Sequence, residues 1–182
     1  MPELTGAQAV SRRIARMSAP SPEFRALIAD PSTHMAGLVT LMLHSLKIRG
    51  VDEAGDLRQA AAFLARRPYN LVLLDDALGS ADDFALVRTL RQSPDNPNRA
   101  VPIIMMASAP EAQLIKQARD AGVSEFLRKP FSAQHIQMRL DSIRNAPREF
   151  IEAQGYAGPD RRRQERAGAP HRRSSDTEKR SA

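Results

Sequence analysis

The sequence predicts an α/β protein, a doubly wound five-stranded parallel sheet with helices on both faces. Three observations carry this. Short aliphatic runs alternate with amphipathic stretches five times between residues 24 and 145. LVLLD, residues 71–75, is apolar at consecutive positions, the pattern of a strand buried on both faces. Charged residues then close several of these runs at their carboxyl ends, where open α/β sheets build their crevices.

The first 22 residues end in the punctuation SAPSP and read as an extension, within which AQAVSRRIARM has the spacing of a brief amphipathic helix. FRALIA is the first strand. STHMAGLVTLMLHSLKIRG is a helix with Ser32 or Thr33 as N-cap and Gly50 at its end. A short strand near Val51 follows, then the helix DLRQAAAFLARR, stopped by Pro68. NLVLLD is the third strand. DDFALVRTLRQ is a helix that opens with acids and closes with arginine, as the helix dipole favours. SPDNPNRA is a loop, VPIIMM a strand, EAQLIKQARDAG a helix ending on Gly122, VSEFLR a strand and SAQHIQMRLDSIR the last helix. The expected organisation is therefore an extension over 1–22, a domain over 23–146 and a basic, largely disordered tail over 147–182. Within that tail Phe150, Ile151 and Tyr156 are candidate anchors, either onto the domain or in a partner's groove.

Charge sharpens this division. Arg12, Arg13 and Arg16 against Glu3 leave residues 1–22 at +2, and eight Arg or Lys against four acids leave 160–182 at +4, so the total of +6 leaves the middle neutral. Basic arms on a neutral domain give nonspecific, salt-sensitive contact with nucleic acid rather than a specific nucleic-acid-binding core. Cysteine is absent, which excludes a disulfide scaffold and a thiolate metal site and fits a reducing cytoplasm. No apolar stretch approaches the ~20 residues of a membrane span. His34, His44, His135 and His171 show no ligand spacing, and no Gly-rich phosphate loop or nucleophile–base signature marks an enzyme.

The strand ends carry the chemistry. Strand one delivers Asp30, strand three Asp75 and strand five Lys129, followed by Pro130. Two acids and a lysine from three strands converge on one crevice.

With these residues in place, 24–145 resemble the receiver domain of bacterial two-component response regulators. LIADPSTHM is similar to the family's first acidic turn, LVLLDDALGSADDF to the segment around its phospho-accepting aspartate, VPIIMMAS to its fourth strand and EFLRKPF to its fifth. The resemblance implies a flavodoxin-like fold with strand order 2-1-3-4-5 and a stand-alone receiver of the chemotaxis or phosphorelay type. It implies that Asp75 takes a phosphoryl group from a histidine kinase or phosphotransfer protein, with Mg²⁺ held by Asp30, Asp75 and the Ala77 carbonyl. It makes Lys129 the partner of the phosphoryl group and Phe126 the aromatic that reorients. It also implies output by contact with a downstream protein through the helix before strand five, strand five and the helix after it, here 111–120 and 132–144.

The sequence departs from the family pattern at four places. Pro31 stands where a second acid is usual. Ala107 stands where a Thr or Ser hydroxyl is usual, with Ser108 beside it. Gly79 replaces a proline after the acceptor. Asp76 is an extra acid, which strand alternation would turn to the other face. Two readings follow: a phospho-accepting receiver with a weakened metal site, or a phosphate-independent pseudo-receiver that binds proteins. Asp75 and Lys129 favour the first, Pro31 and Ala107 the second.

Overall fold

Five parallel strands form the sheet in the order β2-β1-β3-β4-β5. They are β1 (Arg25–Ala29), β2 (Gly50–Ala54), β3 (Leu71–Asp75), β4 (Ile103–Ala107) and β5 (Glu125–Arg128). The computed structural model describes residues 24–81, 84–153 and 155–161. The flavodoxin-like order matches the expectation; the crossovers run through the helices α1 (Thr33–Ser45), α2 (Leu57–Arg66), α3 (Asp76–Ala81), α4 (Ala85–Gln92) and α5 (Ala112–Ala121), and α6 (Ala133–Asn145) follows β5.

Strand alternation sorts the core into two layers. Leu71 and Leu73 of β3 and Ile104 and Met106 of β4 face α1 and α6, where Ala36, Val39, Leu43, Ile136 and Leu140 meet them. Val72, Leu74, Ile103 and Met105 face the opposite way, onto Ala60 and Leu64 of α2, Val87 and Leu90 of α4 and Ala118 of α5. With side chains buried on both faces, β3 and β4 have no exposed residue. That is why LVLLD and IIMMA read as unbroken apolar runs.

Three sequence expectations change. Gly50 does not end the first helix. The chain leaves α1 at Leu46, and Lys47 takes the left-handed conformation, φ 67°. The Ile48 amide then bonds to Leu43 O at 3.0 Å and the Lys47 amide to His44 O at 3.0 Å, the paired bonds of a Schellman turn, which brings Ile48 into the core beside Leu43. Gly50 instead opens β2 opposite Arg25, where a Cβ would stand 2.9 Å from the Phe24 carbonyl. Second, a helix, α3, follows β3 directly, in a stretch to which the sequence pattern assigns no element. Third, the tail is not unstructured where it leaves α6: Phe150–Ala153 (β6) and Tyr156–Pro159 (β7) pair as an antiparallel hairpin. The helix expected in 1–22, the acids Asp82 and Asp83 and the basic run from 162 onward lie outside the described residues.

Candidate functional site

Three strand ends supply the site. The Asp30 amide donates to Ala54 O at 3.0 Å, continuing the β1–β2 ladder by one residue, and this places the Asp30 side chain at the carboxyl edge of the sheet. Ser32 holds it there: its amide donates to Asp30 Oδ1 at 2.8 Å while its own hydroxyl caps α1 by accepting from the Met35 amide at 3.3 Å. This clamp was not singled out from the sequence, although Asp-Pro-Ser is the composition of an Asx turn. Pro31 is exposed and carries no oxygen into the site.

Asp75 ends β3 and is 3% exposed; its Oδ1 accepts from the Ala77 amide at 3.0 Å. The Ala77 residue thus reaches Asp75 through its N–H. Lys129 follows β5, and its amide is tied to Ala107 O at 2.8 Å, so the backbone at the end of β4 fixes where the lysine starts. Its Nζ hydrogen-bonds Asp75 Oδ2 and lies 3.7 Å from Asp30 Oδ2. The lysine therefore bridges the two acids, and the three strand ends meet in one crevice.

Electrostatics follow from burial and from these neighbours. Burial, reinforced by the charge of Asp75, pushes the Asp30 carboxyl above the usual carboxylate range despite the Ser32 amide and Lys129. Burial alone would lower Lys129, but its bond to Asp75 and the charges of Asp75, Asp30 and Asp76 outweigh it and hold the ammonium above its ordinary value. Asp76 corrects the sequence reading. It is the first residue of α3, half-buried, so strand alternation no longer governs it. Burial and then Asp75 raise its carboxyl while Lys129 opposes them, so Asp76 feels the charges of the site.

Asp30 Oδ2 is fully buried and has no hydrogen-bond partner. An orphaned carboxylate oxygen beside a second carboxylate is a hard, all-oxygen donor set of the kind that Mg²⁺ takes together with waters and phosphate oxygens. Among the described residues no three His, Asp or Glu side chains are grouped to hold a metal by themselves. These two carboxylates fit a hard cation that completes its shell with waters and phosphate oxygens.

Ala107 is 1% exposed at the end of β4 and offers no hydroxyl, while Ser108 lies exposed beyond the strand. Phe126 pairs with Met105 across β4–β5 and packs half-buried against the layer that holds Met105. Gly79 is buried, and a Cβ there would stand 2.9 Å from Met105 Cε and 3.1 Å from Phe84 Cε1. The missing side chain thus lets α3 lie close on β3 and β4.

Comparison with known proteins agrees with this geometry. The model of the response regulator receiver domain matches residues 26–141. The chain is 26% identical over 117 residues to the chemotaxis protein CheY-3 of Vibrio cholerae, covering 64% of this chain and 88% of that protein. Transcriptional regulatory protein ResD of Bacillus subtilis is 26% identical over 121 residues, 66% of this chain and 48% of that protein. Among solved structures, CheY4 of Vibrio cholerae superposes with a TM-score of 0.59 at 19% identity, covering 66% of this chain and 98% of that one. The receiver domain of a Pseudomonas aeruginosa sensor histidine kinase, solved with a magnesium ion coordinated in its active-site cleft, gives 0.57 at 25% identity, with 68% and 99% covered.

Proposed function

This chain belongs to the response regulator receiver domain family, and from that premise we propose that Asp75 accepts a phosphoryl group from the phosphohistidine of a histidine kinase or phosphotransfer protein. The observation that carries this is the bridge of Lys129 between Asp75 and Asp30 at the carboxyl edge of the sheet. An Asp75 oxygen attacks phosphorus, the new P–O bond forms as the P–N bond breaks, and the electron pair leaves on the imidazole nitrogen. Lys129 then exchanges its carboxylate partner for a phosphoryl oxygen, with no change in its own protonation. Asp30, Asp75 and the Ala77 carbonyl are the groups that would hold Mg²⁺, which when bound neutralises the transferring oxygens. The family is one of signalling proteins, so the product is an altered surface rather than a released metabolite. We assign output to protein contact through α5, β5 and α6, where Met138 is 55% exposed beside Lys129 and His135. We place this exchange in the cytoplasm, where such donors act; among the described residues no helix is long and apolar enough to cross a membrane.

Incubation with acetyl phosphate and Mg²⁺ should add one acid-labile phosphoryl mass, absent in Asp75→Asn. The buried, hydroxyl-free Ala107 favours a second reading, the phosphate-independent pseudo-receiver. That reading gains if neither a small donor nor a kinase labels the wild type, and labelling that persists in Asp75→Asn removes Asp75 from its role.

A further inference from the structure

We propose that the β6–β7 hairpin, continued to Arg161, is an autoinhibitory strap that ties the C-terminal end of α5 to the base of the sheet. A lone two-stranded hairpin is marginal in water, so this one persists through what it touches. Tyr156 is 8% exposed, and the Arg161 guanidinium lies 4.3 Å over its ring. The same guanidinium donates to Asp120 Oδ1 at 2.6 Å, in the last turn of α5. Next to it Gly158 comes so near Gly122 that a Cβ would lie 3.2 Å from the Gly122 Cα. Arg99 pairs with Glu152 at 2.8 Å and lies 5.1 Å over Phe150, and Arg148 pairs with Glu125 at the start of β5 at 3.5 Å. These ion pairs run from the hairpin segment to the body of the domain at the edge opposite Asp75.

The other end of α5 is held differently. Its N-cap residue, Glu111, makes no side-chain capping bond, and it follows the loop that leaves Ala107. A helix cross-linked at its base and without a side-chain cap at its top moves most readily about the cross-linked end, so the strap limits how far α5 and β5 move. The strap is built to release, because partly exposed ion pairs and a cation–π contact are each weak. Its effect on signalling rests on Asp75 being the phospho-acceptor; the strap itself does not.

The test uses the full chain. Without phosphodonor, Arg161→Asp should speed amide exchange at residues 116–122 by about tenfold while leaving 26–29 and 71–74 unchanged, and adding Asp120→Arg should restore the wild-type rate. With beryllofluoride and Mg²⁺, Arg161→Asp should show larger amide shifts than wild type at Ala107 and Phe126. Unchanged exchange in α5, or equal acceleration in β1 and β3, overturns the strap. Faster α5 exchange with equal beryllofluoride shifts overturns its autoinhibitory role. No beryllofluoride response in either protein counts against phospho-acceptance at Asp75, while selective loosening of α5 still upholds the strap.

Discussion

Asp30 and Lys129 answer pH in the same sense but in different windows, because the fold holds the proton more tightly on both, on a buried acid and on a partly buried base with acids around it. The Lys129 value is raised in the fold, so its contribution to stability is complete below 10.5 and is lost as pH rises through the folded value. Unfolding at increasing alkalinity should therefore show a loss of stability above about pH 10.5 that is absent in Lys129→Met, read by urea midpoints. Asp30 is also raised, which for an acid means that the folded state holds the proton more tightly. Its charge costs stability once pH exceeds the folded value, and that cost vanishes below 3.8. A cation supplied at the orphaned oxygen removes the same cost. Pro31→Asp, which adds a carboxylate beside Asp30, should tighten Mg²⁺ on the order of tenfold in a calorimetric titration; no gain would mean that Asp76 already supplies the missing charge.

At the scale of elements, α3 shows how packing overrides local reading. The stretch DALGSA carries no cap signal, yet it is helical because Gly79 lets it settle against Met105 and Phe84. Alanine at 79 gains helix propensity of about 1 kcal/mol but overpacks two buried side chains at a cost of about 1–3 kcal/mol. Gly79→Ala should therefore lose about 1 kcal/mol net, measured by urea unfolding. Because α3 starts at the residue after Asp75, the variant should also slow acceptance of phosphoryl groups; full stability together with full labelling would show that the contact is slack. The turn after α5 is a second such element. Gly122 sits at φ 108°, a left-handed conformation that closes the helix at the residue where the sequence ends it.

Across the whole molecule, Arg91 joins parts far apart in the chain. It is 1% exposed, and its guanidinium donates to Gly122 O at 3.1 and 2.9 Å, Arg99 O at 2.6 Å and Val101 O at 2.9 Å. These four bonds to carbonyls let the cation stay buried, although burial lowers its pKa to about 10. α4, the loop before β4 and the turn on which the hairpin rests therefore share one side chain. Arg91→Leu leaves those carbonyls unsatisfied and should cost about 3 kcal/mol or more, with accelerated exchange spreading into the hairpin. A loss under about 1 kcal/mol would mean that water replaces the guanidinium.

Periodicity and composition were enough to reveal the alternating elements, the two-faced burial of β3 and β4, and the residues Asp30, Asp75 and Lys129 at the strand ends. Each of these depends on neighbours a few residues away or on a side-chain period. The Lys47 turn escaped because burial of Ile48 pays for a left-handed lysine where a glycine was expected. Asp76 was misassigned because strand alternation stops where a helix begins, and that boundary is set by Gly79 meeting Met105 and Phe84 from other elements. The hairpin was invisible as structure because Arg161 and Gly158 meet Asp120 and Gly122 only after α5 has packed on the sheet. Local patterns encode local geometry; contacts between distant segments exist only once the chain has closed on itself.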